Sequence, residues 1–357
     1  MNKKVDIVIL MNALSMGGAE KQSLLLAKAL DDHFDVHYVV QKKEPRLQQH
    51  VDFIENENIN YIQLSGNFIA RLWQLLVYVR RKNIKILIAM LTLDNAMASF
   101  ISVITGIKCV GGVRSSYLPF VKFWVTWLAH RTMLDHVVFN NHYGRELFLK
   151  RGFTARKSSV IHNSISDVKG EIIRQPVDTV RILSVGRFTF EKDYFTALKA
   201  IALLNERYAK RYIEYIIVGE GELREKIIGW IGALKIDNVR VIISPESLDP
   251  YYQDADIYLM SSVSEGLPNS IMEAYNYSLP VVTTDVGDAK YLVEDGISGY
   301  LVAPGDFHAI SEKLNFLVQD YDRRIAFGLQ GHKHIIHTFA EEIFRSRYID
   351  LLNRLLV

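Results

Sequence analysis

Short runs of β-branched and aromatic residues recur along the chain. Between them lie longer stretches in which apolar residues return every three or four positions. In the first half the short runs are VDIVILM, DVHYVV, YIQL, KILIAML, KCVGGV and HVVFN, with helical patterns such as AEKQSLLLAKAL and RLWQLLVYVRR between them. Strand and helix in alternation predict a parallel sheet with helices on both faces. The pattern breaks near Asn163, where NSISDVKGEIIRQPVDT is polar, lacks a long period and contains Pro176, so it reads as a linker. The alternation then restarts with VRILSVG, YIEYIIVG, NVRVIIS, DIYLM, PVVTT and GYLVA. The prediction is α/β, with two Rossmann-like domains in tandem over residues 1–165 and 166–338. A last helix over 339–357 puts Phe344, Tyr348, Leu351, Leu352 and Leu355 on one face, and either caps the second domain or crosses back to the first.

Length agrees with two domains, since 357 residues exceed what one core usually holds. The single cysteine, Cys109, excludes an internal disulfide and fits a reducing, cytoplasmic compartment. The opening MNKKVDIVILM reads as a buried strand rather than a signal peptide. Ile86 to Gly106 is the longest apolar stretch, and Asp94 and Asn95 interrupt it, so no transmembrane helix is expected. Net charge is +2 but uneven: residues 1–165 hold 21 Lys and Arg against 12 Asp and Glu, and the remainder is correspondingly acidic. A basic first half suits an anionic partner.

Open parallel sheets bind ligands outside the carboxyl ends of their strands, so the chemistry is sought on strand-to-helix loops. In NALSMGGAEKQ, Gly17 and Gly18 precede a helix and allow backbone to approach an anion. In SVGRFTFEKDYF a strand ends at Gly186 and two cations follow, Arg187 and Lys192. Cations near a helix N-terminus oppose its dipole. A diphosphate between them would account for both, with Arg187 as planar fork and Lys192 as point charge; the alternative is solvated cations, with Lys192 paired to Glu191 or Asp193. In IIVGEGELREKI, Gly219 and Gly221 follow a strand, but Arg224 holds the third glycine position, so a dinucleotide site is rejected and a nucleotide against this backbone is retained. In SSVSEGLPNSIMEAYN, Pro268 opens a helix that Asn269 or Ser270 is expected to cap, and the amides of Gly266, Leu267 and Asn269 are free to face a ligand. Glu265 and Glu273 flank that start, each able to accept hydrogen bonds from a vicinal diol.

These residues resemble glycosyltransferase family 4, the retaining enzymes of GT-B fold that build bacterial polysaccharides. The resemblance rests on MGGAEKQ, SVGRFTFEKD, VGEGELR and the run from DPYYQDADIYLM to YLVAPGD, and above all on two glutamates separated by seven residues. It implies two Rossmann-like domains facing across a cleft, with the terminal helix returning to the first. It further implies that Glu265 and the amides of Gly266 and Leu267 contact the donor sugar and that Glu273 holds the ribose. Arg187 and Lys192 would neutralise the diphosphate, Gly17 and Gly18 would lie near phosphate and acceptor, and base contacts would run along Val241 to Ser244. No metal or other cofactor is implied. Many relatives carry a histidine where VGGVRSSY has Arg114, so Arg114 is a candidate for phosphate or acceptor, or a surface arginine after a strand; His162 reads as structural.

The family's first domain takes the acceptor. Here it contains FIARLWQLLVYVRRKNIK and LPFVKFWVTWLAHR, basic and Trp-bearing, of the kind that docks on anionic membranes. This suggests a polyprenyl-diphosphate-linked or other saccharide acceptor at the inner face of the plasma membrane, although most of these aromatics are expected in the core. No nucleic-acid partner is implied. Two other functions remain open: a nucleotide-sugar 2-epimerase of the same fold, and a nucleotide-sugar-binding protein without turnover.

Overall fold

Among the described residues seven strands build the first sheet: β1 (Val5–Met11), β2 (Phe34–Val40), β3 (Tyr61–Gln63), β4 (Ile86–Ala89), β5 (Lys108–Val113), β6 (His136–Phe139) and β7 (Ser158–Val160). Six build the second: β8 (Val180–Val185), β9 (Ile213–Gly219), β10 (Val239–Ile243), β11 (Ile257–Met260), β12 (Val281–Thr284) and β13 (Gly299–Val302). This computed structural model describes residues 4–15, 18–114, 118–165, 167–208 and 212–357. Among these residues every strand pairing is parallel, in the orders β3-β2-β1-β4-β5-β6-β7 and β10-β9-β8-β11-β12-β13. Parallel strands between helical layers are buried on both faces, which is why VDIVILM and VRILSV lack polar–apolar alternation. Both sheets reverse direction beside their first strand, between β1 and β4 and between β8 and β11, the place where such sheets open a ligand crevice.

The chain divides into two compact units, Met1–Ser166 with Phe339–Val357, and Asp167–Thr338. The terminal helix Glu341–Leu356 therefore belongs to the first unit. Its Phe344, Tyr348, Leu351 and Leu352 are buried with Leu24, Leu30 and Val36, and Leu355 packs partly against them. The strands that carry each core are those read from the sequence, except β7, whose SSV was too short to stand out.

The polar linker is less free than its composition implies. Arg174 donates to the carbonyls of Ala255, Ser278 and Tyr252, and its own carbonyl accepts from Tyr321. Burial lowers its pKa to about 10. The interrupted apolar stretch Ile86 to Gly106 resolves into β4 and the helix Thr92–Thr105, where Asp94 closes the helix start by accepting from the Leu91 amide. Among the described residues no helix is long and apolar enough to cross a membrane.

Candidate active site

The second sheet concentrates candidate side chains at the β8/β11 reversal. The loop after β8 carries Gly186 and Arg187, then a single 3-10 turn, Phe190–Lys192. The loop after β11 carries Ser261 to Pro268 and leads into the helix Asn269–Asn276. Adjacent parallel strands bring these loops together. Ser261 Oγ donates to the carbonyls of Lys192 and Asp193, at 3.0 and 2.9 Å, and the Val263 amide donates to Glu191. Asp193 turns the chain in a left-handed conformation, φ 42°, and caps the helix Tyr194–Asn205 by accepting from the Thr196 amide.

Lys192 and Glu265 meet at the centre. Lys192 Nζ donates to Glu265 Oε1 at 2.7 Å, and Ser262 Oγ donates to the same oxygen at 2.7 Å. Both charged side chains are mostly covered, at 19% and 14% exposure. Lys192 thus pairs with neither Glu191 nor Asp193, its two sequence neighbours. An ammonium has three donors, so its bond to Glu265 leaves two for an anion. Arg187 is exposed, and its guanidinium forms no ion pair among the described residues.

Behind the pair, the structure shows a support that sequence reading missed. Ser262 is fully buried, and its carbonyl accepts from Thr284 Oγ1 at 2.6 Å. The turn after β12 places Gly287 at φ +58° directly behind Glu265 and Gly266. A Cβ there would lie 2.5 Å from both of their carbonyl oxygens. The Asp288 amide donates to the Gly266 carbonyl. The only sequence trace is the glycine in TTDVGD, where a left-handed φ excludes branched residues.

Pro268 is the N-cap of the helix after Glu265 and has no side chain that can cap it. Among the described residues the amides of Gly266 and Leu267 donate to no protein acceptor. Uncapped amides at a helix start bind anions or hydroxyl oxygens. Glu273 lies on this helix, half-buried, and its Oε2 accepts from Tyr252 OH at 2.9 Å. Burial, reinforced by the Glu273 charge, raises the Tyr252 phenol well above its ordinary value, so it stays a donor.

The remaining glycines have mainly a packing explanation. Gly219 ends β9, and a Cβ there would collide with the Gly186 carbonyl; at Gly221 it would strike the Phe188 backbone. The Phe188 amide donates to Glu220, and the Leu223 amide to Phe188. These glycines therefore seat the Gly186–Phe188 loop. Gly186 lies against the Lys192 chain and accepts from Tyr194 OH. Ser244 follows β10 beside Gly219, to whose carbonyl its amide donates.

In the first unit Gly18 opens the helix Gly18–Leu30, and Gly17 lies outside the described residues. Arg114 is not a surface side chain. It is half-buried at the end of β5 and donates to Asn163 Oδ1 and Tyr348 OH, both at 3.2 Å, joining the linker's start to the terminal helix. His162 is buried and packs against the Phe339 ring.

Two parallel-sheet Rossmann-like domains with these strand orders define a GT-B glycosyltransferase architecture. Solved structures share it. Anabaena Alr3699/HepE in complex with UDP superposes with a TM-score of 0.84 at 16% identity, covering 98% of this chain and 100% of that one. The apo lipopolysaccharide outer core galactosyltransferase WaaB superposes with a TM-score of 0.78 at 18% identity, covering 98% and 99%. The chain belongs to glycosyltransferase family 4: the Glycosyltransferase Family 4 model matches residues 16–168 and the Glycosyl transferases group 1 model residues 169–334. Similar curated proteins include the lipopolysaccharide core biosynthesis glycosyltransferase LpsE of Rhizobium meliloti, 28% identical over 178 residues, which are 50% of this chain and 51% of LpsE. The amylovoran biosynthesis glycosyltransferase AmsK of Erwinia amylovora is 28% identical over 218 residues, 57% of this chain and 52% of AmsK. The chain spans about half the length of the curated relatives it matches.

Proposed function

We propose that the protein is a retaining, metal-independent glycosyltransferase. It moves a hexose-type sugar from a nucleotide-diphosphate sugar, with UDP-sugars favoured, to a lipid-linked or oligosaccharide acceptor in the synthesis of O-antigen, capsule or exopolysaccharide. The observation that carries this reading is the convergence of Lys192 and Glu265 at the β8/β11 reversal, beside the Gly266 and Leu267 amides. Family membership and the polysaccharide relatives support it.

In this mechanism charge develops on the diphosphate as the glycosidic bond breaks. Lys192, with two free N–H donors, and Arg187, exposed and without an ion pair, stabilise that charge. Glu265, fixed by Lys192 and Ser262, accepts hydroxyl donors of the sugar, with the amides of Gly266 and Leu267 beside it. Glu273 takes the ribose diol. The acceptor hydroxyl oxygen bonds to the anomeric carbon on the face from which the diphosphate departs and passes its proton to that phosphate; substitution on the same face retains configuration. Arg187→Ala is expected to slow turnover by roughly 10–1000-fold, at about 1.4 kcal/mol per decade.

The acceptor side of the reading rests on the first unit. Its helices Phe68–Lys82, Thr92–Thr105 and Phe120–Thr132 pack side by side. The aromatics expected in the core are largely outside it: Trp73, Phe120 and Trp124 are exposed, Trp127 is half-buried, and only Phe123 is buried. Phe100 and Val103 of the middle helix extend the apolar surface, and Arg80, Arg81 and Lys122 supply charge. An apolar, basic face fits an anionic bilayer at the cytoplasmic side of the plasma membrane.

Incubation with radiolabelled UDP-, GDP- and ADP-sugars, with and without membrane lipid extract, tests the proposal. Label transferred to lipid or saccharide is the expected result. Isomerised donor would instead identify a 2-epimerase, and binding with neither product a protein without turnover.

A further inference from the structure

Two helices of the second unit end on one guanidinium. Arg174 Nε donates to the carbonyl of Ala255, which caps the carboxyl end of the helix Asp249–Asp254. Its two terminal nitrogens donate to the carbonyls of Tyr252, in that helix, and of Ser278, two residues past the helix Asn269–Asn276. A cation there satisfies carbonyls that helix ends leave open. Arg174 thereby fixes the two helices relative to each other.

One side chain from each helix meets the other. Tyr252 OH donates to Glu273 Oε2 at 2.9 Å. The tyrosine has little freedom to do anything else. It is 2% exposed, and its ring stacks with Tyr277 at 5.5 Å and with Tyr258 at 6.0 Å, the planes 13° and 27° apart. Tyr258 is itself fixed, its hydroxyl donating to the Val185 carbonyl. A phenylalanine ring would fill the same stack, so packing does not account for the Tyr252 oxygen. Its bond to Glu273 does.

We propose that Tyr252 is a positioning residue of the ribose subsite, holding the Glu273 carboxylate in the orientation that meets a vicinal diol and so setting the preference for a ribonucleotide over its deoxy analogue. The inference rests on the reading of Glu273 as the ribose contact. A glutamate side chain is long and half-buried here, and one that must be ordered on binding loses affinity to that ordering. Tyr252 orders it in advance, from a helix that Arg174 holds in place. A carboxylate oxygen accepts more than one hydrogen bond, so the phenol orients Oε2 without excluding a hydroxyl from it. A site prepared in this way to bond a hydroxyl rejects the analogue that lacks it.

The test is isothermal titration of UDP and of 2′,3′-dideoxy-UDP into the wild type, Tyr252→Phe, Glu273→Ala and the double variant. The wild type should bind UDP at least about tenfold more tightly than the dideoxy nucleotide. Tyr252→Phe should weaken UDP by about tenfold and leave the dideoxy nucleotide within about twofold, which also reports that the rest of the site is folded. Glu273→Ala should abolish the preference, and adding Tyr252→Phe to it should change UDP affinity by less than about twofold, because the two residues act as a unit. A preference that survives in Tyr252→Phe but not in Glu273→Ala would overturn the inference alone, as would an equal loss for both nucleotides in Tyr252→Phe. Absence of UDP binding to the wild type, or equal UDP affinity of the wild type and Glu273→Ala, would overturn the reading of the donor site and the inference with it.

Discussion

Glu265 is held by two donors on one oxygen, and they differ in kind. Lys192 is a charge that an incoming phosphate can share; Ser262 is a buried hydroxyl that no ligand reaches. Ser262→Ala should therefore lower kcat/KM for the donor by roughly tenfold while the unfolding temperature stays close to wild type, because a hydrogen bond to a charged group contributes about 1.5–3 kcal/mol and Lys192 still orients the carboxylate. Steady-state kinetics at several donor concentrations read this directly. Acid stability draws on other residues, the histidines His130 and His136, both with a pKa held at about 4, mainly by burial. His130 is fully buried and accepts the Thr154 amide on Nε2, so it folds neutral, and burial pushes its pKa down to about 4. A depressed folded-state value means that stability is present above the unfolded value near 6.5 and is lost as pH falls toward 4. His130→Gln, which keeps an acceptor but cannot ionise, should flatten that loss; urea unfolding at pH 7 and pH 4.5 compares the two.

At the scale of elements, the loops do the positioning and the strands only place the loops. Strands β8 and β11 were legible because VRILSV and IYLM are mainly apolar and β-branched, and the cations after β8 stood out against the helix dipole. What was not legible is contact across sequence. Gly287 lies 22 residues beyond Glu265, and its role depends on the β12 turn reaching back, which no local period records. The partner of Lys192 was sought beside it in sequence and found across the sheet. The aromatic helices misled for a related reason: apolar residues at helical spacing look alike whether they face a core or solvent. Gly287→Val should cost about 1–3 kcal/mol from left-handed strain alone and should also impair donor binding by displacing the Glu265 carbonyl. Thermal unfolding and donor titration of the same sample separate the two effects. The terminal helix offers the opposite case: Leu352 is buried at 0% exposure, and Leu352→Ala should cost about 2–5 kcal/mol without a direct effect on the donor site.

Across the whole molecule, chemistry divides between two units built on the same strand order. The second unit holds the glutamates and cations; the first holds most of the positive charge and the exposed apolar helices, and recruits the terminal helix to complete its core. Two parallel-sheet domains followed from the alternating pattern, because parallel sheets impose it; the strand order within each did not. If the first unit docks on bilayers, the protein should sediment with vesicles containing anionic phospholipid at low salt and release at high salt, and Trp73→Ser with Trp124→Ser should reduce the bound fraction. The central claim is that a diphosphate rests on Arg187 and Lys192, and isothermal titration of UDP against uridine tests it most directly. The account predicts that Arg187→Ala loses roughly 10–100-fold in affinity for UDP while its weak binding of uridine is unchanged. Equal affinity of wild type and variant for UDP would contradict it.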